Sequence, residues 1–348
     1  MVTAATRRDA RERAVELLYE SETRGVDVDD IVAALPLTPD AYALELAHGV
    51  TDHCIELDAV LGRHARNWPV ARMAVTDRVV LRLGAFELAT QPDVPTGAAL
   101  SEAVELASRY GSTDETSRFV NGVLVAVGNE VRDTRPWSDI EVVVFDMDGV
   151  IRHWLPEYFV EHEERLGLEP GTIAQAAFAD PGYRDVTVGT ITAEEWARQI
   201  GEAVARQREA DVTVDEVAEL WLSSDWRVDD DVVELVGDLR AAGTTTAVFS
   251  NATSRLEADM GTMAVAGLFD HIANSSRLGL AKPEVAAFER VASDLEADPG
   301  HLLFIDDRDD NVAGAVEAGW HAVRMPTSAI RLGGVLRRLA IPGAPTPT

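Results

Sequence analysis

The polarity pattern of the chain changes character near residue 140. Before it, apolar positions recur every three or four residues, the spacing of helices with one buried stripe. RRDARERAVELLYESETRG carries Ala10, Ala14, Leu17 and Leu18 at that spacing, and Gly25 closes the helix. Thr38-Pro39 reads as an N-cap followed by proline at the first helical position. Leu46, Val50, Cys54, Leu57 and Leu61 then continue one stripe. Further helices are predicted over 76–89, over ALSEAVELASRYG ending at Gly111, and over 114–131, with Pro92 and Pro95 breaking the chain between the first two. Short connections between helices predict a compact bundle.

After residue 140 the pattern is different. Val142, Val143, Val144 and Phe145 form a β-branched apolar run that reads as a buried strand, and it stops at Asp146-Met147-Asp148-Gly149. Helical patterns follow over about 152–231. TTTAVF then predicts a second strand ending in Ser250-Asn251, HLLFI a third ending in Asp306-Asp307, and HAVRM a fourth. Strands alternating with helices, each strand ending in polar residues, describe a doubly wound parallel α/β sheet whose ligand crevice lies at the strands' carboxyl ends. Between the halves, RDTRPWSDI is expected to be a linker. The predicted organisation is therefore an all-α domain over 1–132, a linker over 133–140, an α/β domain over 141–341 with a helical cap at about 152–231, and a disordered tail over 342–348.

Composition narrows the partners. The formal net charge is −29, so the overall field attracts neither a membrane surface nor DNA. Residues 1–137 carry 14 basic and 22 acidic residues, and residues 138–348 carry 17 and 38. No apolar run is long enough to span a bilayer, and the single cysteine excludes an internal disulfide, so a cytoplasmic location is expected. Cys54 lies on an apolar stripe and reads as a small buried hydrophobe; His48, His53 and His64 read as ordinary surface or core-edge residues. Of 31 basic residues, 30 are Arg and one, Lys282, is Lys. A position that keeps lysine in so arginine-biased a chain needs a compact ammonium rather than a planar fork.

The predicted crevice collects Asp146, Asp148, Ser250, Lys282, Asp306 and Asp307. Four carboxylates in one cleft require a cation, and all-oxygen ligation suits Mg²⁺. These four motifs, in this order, resemble the haloacid dehalogenase-like (HAD) superfamily over about residues 141–325. The resemblance implies a Rossmannoid fold and an aspartyl-phosphate mechanism: Asp146 as nucleophile and Asp148 as general acid and base, its carbonyl also a metal ligand. Ser250 and Asn251 would hold the phosphoryl oxygens, Lys282 would neutralise charge, and Asp306 and Asp307 would complete the metal site, with Asn311 orienting their loop. The superfamily's dehalogenases lack an acid two residues after the nucleophile, so Asp148 favours phosphoryl transfer. In the cap, most of Trp154, Trp196, Trp221 and Trp226 are expected in its core, and Arg152, nearest the nucleophile loop, is expected to touch substrate.

In the helical half, RRDARERAVELLYE and the stretch from NWPVARM to SRFVNGVL resemble the transcription antitermination factor NusB family over about residues 6–131. Ser101, where the family usually has Asn, and the segment around 26–40 depart from it. The resemblance implies RNA binding, with boxA-type ribosomal leader RNA and a small-subunit ribosomal protein as partners. Arg7, Arg8 and Arg11 would form the RNA-binding surface; the plain alternative is that such arginines pair with Asp9, Glu12 and Glu16. Two functions follow. One is an RNA-binding antitermination module joined to a Mg²⁺-dependent phosphatase. The other is a phosphatase for small metabolites (sugar phosphates, nucleotides or phosphoglycolate-like acids) whose helical domain is a scaffold or interaction module.

Overall fold

The computed structural model describes residues 4–65, 68–134, 139–179, 182–206 and 212–345. The chain divides into two compact units. One comprises residues 1–138 and 326–331, the other residues 139–325 and 332–348.

The first unit is all helix: α1 (Ala4–Arg24), α2 (Val28–Ala33), α3 (Ala41–Asp52), α4 (Cys54–His64), α5 (Val75–Thr90), α6 (Thr96–Tyr110) and α7 (Thr116–Thr134). Its centre is α5, which touches α1, α3, α4, α6 and α7. Every residue from Val79 to Leu88 is buried, including Arg82 and Glu87. A helix surrounded in this way is apolar nearly all round. Gly49 on α3 makes the packing possible, because a Cβ there would enter the Phe86 ring. The stripe expected to run unbroken from Leu46 to Leu61 is interrupted at His53, which is buried and stacks on Phe86 at 5.9 Å. Cys54 thus begins a new helix and is only half-buried. The cap of α3 is Asp40, whose carboxylate accepts from Tyr42 N at 2.9 Å, so Thr38 is not the N-cap. Within this unit Arg331 reaches Asp29 at 2.8 Å and Asp27 at 3.1 Å, and residues 326–331, expected in the α/β region, group with the helices. Helix α7 runs two residues into the expected linker, of which 135–138 lie outside the described residues.

In the second unit the strands are β1 (Val142–Phe145), β2 (Arg152–Trp154), β3 (Trp226–Val228), β4 (Thr245–Ser250), β5 (His271–Asn274), β6 (Leu302–Asp306) and β7 (His321–Arg324). Five form a parallel sheet in the order β5-β4-β1-β6-β7, and β2 and β3 form a separate antiparallel ribbon. β1 and β6 are buried along their whole length, as strands covered by helices on both faces must be. β1 is the central strand, and its register with β4 and β6 aligns the polar ends. Two features depart from expectation. β5, an edge strand, occupies a stretch without apolar alternation. The insert, expected to be mostly helical, is framed by the β2–β3 ribbon, from which α8 (Pro156–Arg165), α9 (Thr172–Ala177), α10 (Gly182–Thr187), α11 (Ala193–Arg206) and α12 (Val214–Leu222) are hung. The cap has its own core, including Ile173, Val186, Ile200, Val204, Val217 and Trp196. Residues 342–345, expected in a disordered tail, are placed by hydrogen bonds at Pro342 and Pro345. Pro342 O accepts from Thr244 Oγ1 at 2.8 Å and Ile341 is buried, while 346–348 lie outside the described residues.

Candidate active site

The site is built where β1, β4 and β6 end. Asp146 follows β1, and its backbone N–H still donates to Ile305 O at 2.8 Å. The next residues curl into a tight loop: Ile151 N and Arg152 N both donate to Met147 O, at 2.9 and 2.8 Å. Gly149 sits in this loop at φ +86°, and a Cβ on it would strike the Asp307 carboxylate. Glycine is thus required both by the backbone conformation and by the closeness of the third motif.

Lys282 crosses the cleft. Its ammonium donates to Asp306 Oδ2 at 2.7 Å and lies 2.9 Å from Asp146 Oδ1, between the rings of Phe249 and Phe304 at 5.3 and 4.9 Å. Asp306 is held from every side. Its carboxylate also accepts from Asn311 Nδ2 at 3.0 and 3.1 Å and from Arg308 N at 2.9 Å. The expectation that Asn311 orients this loop thus has a direct geometric counterpart. Asp146 Oδ1 accepts from Met147 N at 2.7 Å, which fixes its rotamer. Ser250, at the end of β4, is buried at the edge of the same cavity.

Oxygens of Asp146, Asp306 and Asp307 lie within 4.8 Å of one another. One ammonium against three carboxylates leaves two negative charges in a mostly buried place. The electrostatics record the imbalance. Burial pushes the Asp146 carboxyl up to about 8, with Asp306 and Asp148 adding to the rise although Lys282 opposes it. Burial, then Asp306, raises Asp307 as well. Burial works against the Lys282 ammonium, yet Asp146 and Asp306 hold its pKa above the ordinary value. An all-oxygen group short of two positive charges fits a hard divalent cation such as Mg²⁺.

Two residues expected at the substrate have other partners in the structure. Arg152, expected at the substrate, is buried and grips Asp148 with two hydrogen bonds at 2.6 and 2.9 Å, with a third to Asp259 at 3.2 Å. Trp154 stacks over its guanidinium at 4.6 Å. Arg152 is therefore an anchor for Asp148. The Asp148 carboxylate, held in this way, is outside the acidic group, and the ligand that the resemblance implies at this residue is its carbonyl. Asn251, expected on phosphoryl oxygens, exchanges two 2.8 Å hydrogen bonds with the Lys282 backbone and fixes that loop.

A cavity of about 710 Å³ opens from these residues into the cap. All four cap tryptophans line it; Trp196 and Trp221 also pack into the cap core, whereas Trp154 is partly exposed, so core packing alone does not describe them. Asp259, which completes the Arg152 anchor, was not singled out from the sequence. It lies over a hundred residues away on the helix Leu256–Thr262, and no spacing signal links the two.

In the helical unit the candidate RNA surface is largely spent on acids. Arg11 is buried and bidentate on Glu87, with contacts at 2.6 and 2.9 Å, and Tyr42 Oη donates to the same carboxylate. Arg8 grips Glu102 at 2.7 and 3.1 Å. Arg7 lies over the Tyr42 ring at 5.4 Å. The predicted three-arginine patch is corrected accordingly: Arg11 faces the core, where Glu87 of α5 holds it, while Arg7 lies over Tyr42 of α3.

Residues 8–129 match the NusB family, and residues 140–319 match the haloacid dehalogenase-like hydrolases. The transcription antitermination protein NusB of Kineococcus radiotolerans is 40% identical over 134 residues, covering 37% of this chain and 97% of that protein. That of Saccharopolyspora erythraea is 42% identical over 137 residues, covering 37% and 92%. The chain belongs to both families. For the hydrolase unit, a solved HAD-like family hydrolase from Porphyromonas gingivalis is similar at 21% identity and a TM-score of 0.48, covering 58% of this chain and 98% of that one. The protein thus joins a NusB-family domain to a haloacid dehalogenase-like hydrolase domain. Among the described residues no helix is long and apolar enough to cross a membrane.

Proposed function

We propose that the hydrolase unit is a Mg²⁺-dependent phosphatase that works through an aspartyl-phosphate. The observation carrying this is the Lys282 ammonium at 2.9 and 2.7 Å from Asp146 and Asp306, beside a third carboxylate that leaves the group short of positive charge. Asp146, Asp306, Asp307 and the Asp148 carbonyl would hold the ion, which supplies charge neutralisation for a phosphoryl dianion.

The chain's own residues divide the remaining work. A carboxylate oxygen of Asp146 attacks phosphorus in line, and the bond from phosphorus to the ester oxygen breaks. Asp148, protonated, gives its proton to that leaving oxygen. Lys282 balances the charge that Asp146 hands to the phosphoryl group, and Ser250 donates to a phosphoryl oxygen. In the second half Asp148 takes a proton from water as the water oxygen attacks phosphorus, and the acyl–phosphate bond breaks to free Asp146 and inorganic phosphate. Arg152 keeps the Asp148 carboxylate aimed through both halves. An acid at position 148 supports phosphoryl transfer over carbon–halogen cleavage. Removing divalent ions with EDTA is expected to abolish phosphate release, and added Mg²⁺ to restore it; release that persists in EDTA overturns the metal assignment.

For the NusB-type unit, the pairing of Arg8 with Glu102 and of Arg11 with Glu87 supports the scaffold or interaction reading over a basic RNA platform. An acidic domain needs a free local patch to hold phosphates, and such binding weakens steeply with salt. Titrating boxA-type leader RNA into the full chain at two salt concentrations, with scrambled RNA as control, tests this. Selective binding lost in Arg7→Ala/Arg8→Ala would restore the antitermination reading, with a small-subunit ribosomal protein as the expected partner and the cytoplasm as the setting.

A further inference from the structure

The walls of the cavity say what is attached to the phosphate. The cap contributes Phe159, Phe178, Tyr183, Trp196, Trp221 and Trp226 to its lining, with Trp154 at the ribbon. Ring packing continues around Trp221, which meets Phe159 at 5.4 Å, Phe178 at 6.2 Å and Trp196 at 5.1 Å. Among the described residues, the cap side of the lining contains no carboxylate and no carboxamide.

Of the polar groups in the lining, which include His153, Tyr183, Ser224 and Thr253, several are committed. Arg152 is taken by Asp148 and Asp259. Thr187 gives its hydroxyl to the carbonyls of Tyr183 and Arg184 at 3.0 Å. On the floor, Arg308 is bidentate on Asp310 at 2.8 and 3.1 Å, and Arg255 donates to Leu222 O at 3.2 Å. A polyol placed against the ring-lined walls would exchange water for aromatic carbon and leave the hydroxyls that face the rings without partners. A flat apolar body would instead bury its surface and meet ring faces and edges. At about 710 Å³ the cavity has the size of a small-molecule site.

We infer that the substrate is a phosphomonoester of an alcohol bearing a flat, apolar aromatic body, and not a sugar phosphate or another polyol phosphate. This rests on the phosphatase reading above. The test is kcat/KM of the full chain with Mg²⁺ on ethyl phosphate, 2-phenylethyl phosphate, 2-(1-naphthyl)ethyl phosphate, glycerol 1-phosphate and glucose 6-phosphate. All five release a primary alcohol, so differences report the cavity rather than the leaving group. The naphthyl ester is expected to exceed ethyl phosphate by about tenfold or more, and glucose 6-phosphate not to exceed it. Phe178 is 60% exposed and its loss costs the fold little, so Phe178→Ala is a usable variant. It is expected to shrink the naphthyl-to-ethyl ratio mainly through KM. Glucose 6-phosphate or glycerol 1-phosphate matching the aromatic esters overturns the inference. If no ester is turned over, the phosphatase reading falls separately, and calorimetric binding of 2-phenylethyl phosphonate against ethyl phosphonate decides this inference alone. Tighter aromatic binding sustains it, and equal binding overturns it.

Discussion

Each unit buries an ionic cluster, and the two clusters are assembled on opposite terms. In the NusB-type unit Arg11 faces Glu87, and Arg78 and Arg82 face Glu22 and Asp58, so three guanidinium groups meet three carboxylates, with the Tyr42 hydroxyl on Glu87. In the hydrolase cleft three carboxylates share one ammonium. A balanced network holds elements together, and removing a member leaves its partner stranded. An unbalanced one strains the fold until something charged arrives, and removing a member can relieve it. Charge balance, more than burial, separates the structural cluster from the reactive one.

The largest test of this contrast is Asp146→Asn. Turnover is expected to fall by more than about 10³-fold, while the metal-free melting temperature holds or rises, because one of three crowded carboxylates has been neutralised. Residual turnover near wild type would remove Asp146 as nucleophile. Next is Lys282→Arg. The buried ammonium lies on Asp146 and Asp306 between Phe249 and Phe304, and a longer, planar guanidinium presents a different donor geometry there. A loss of about 10²-fold in kcat is expected, and a near-normal rate would show that charge alone suffices. Glu87→Gln probes the balanced side. It leaves buried Arg11 with only the more distant Glu102, at 3.7 Å, and is expected to cost about 3 kcal/mol in chemical denaturation, whereas a neutral result would erase the distinction between the clusters. Smallest is Arg13→Ala, which breaks the exposed Arg13–Glu16 pair and is expected to change stability by less than about 0.5 kcal/mol.

Much of the hydrolase architecture was legible because its strands are β-branched runs cut off by polar residues. VVVF before Asp146 and LLFI before Asp306 announce buried parallel strands and together mark the edge that carries the candidate site. The β2–β3 ribbon was invisible, since Arg152–Trp154 and Trp226–Val228 are three residues each with no alternation and pair across some seventy positions. β5 was missed for a related reason: an edge strand of His, Ile, Ala and Asn has no periodic signature. The candidate arginines fared worst. Residue type and helical spacing placed Arg7 and Arg11 on one face but left open which way that face turns, and Glu87 on the central helix decides it. Arg152 was near the site for the right reason, but its bond to Asp148 depends on a loop whose curvature only the backbone records.

The single lysine has a practical consequence. Lys282 is the only lysine in the chain, and its side chain is 0% exposed. An acylating reagent therefore meets no lysine amine on the folded surface, and modification at residue 282 must wait for the cleft to part. The rate of that labelling becomes a clock for the opening of the hydrolase interior. A ligand that seals the cleft would slow the clock, so protection can be followed by mass spectrometry at one site, without turnover and before any substrate is in hand.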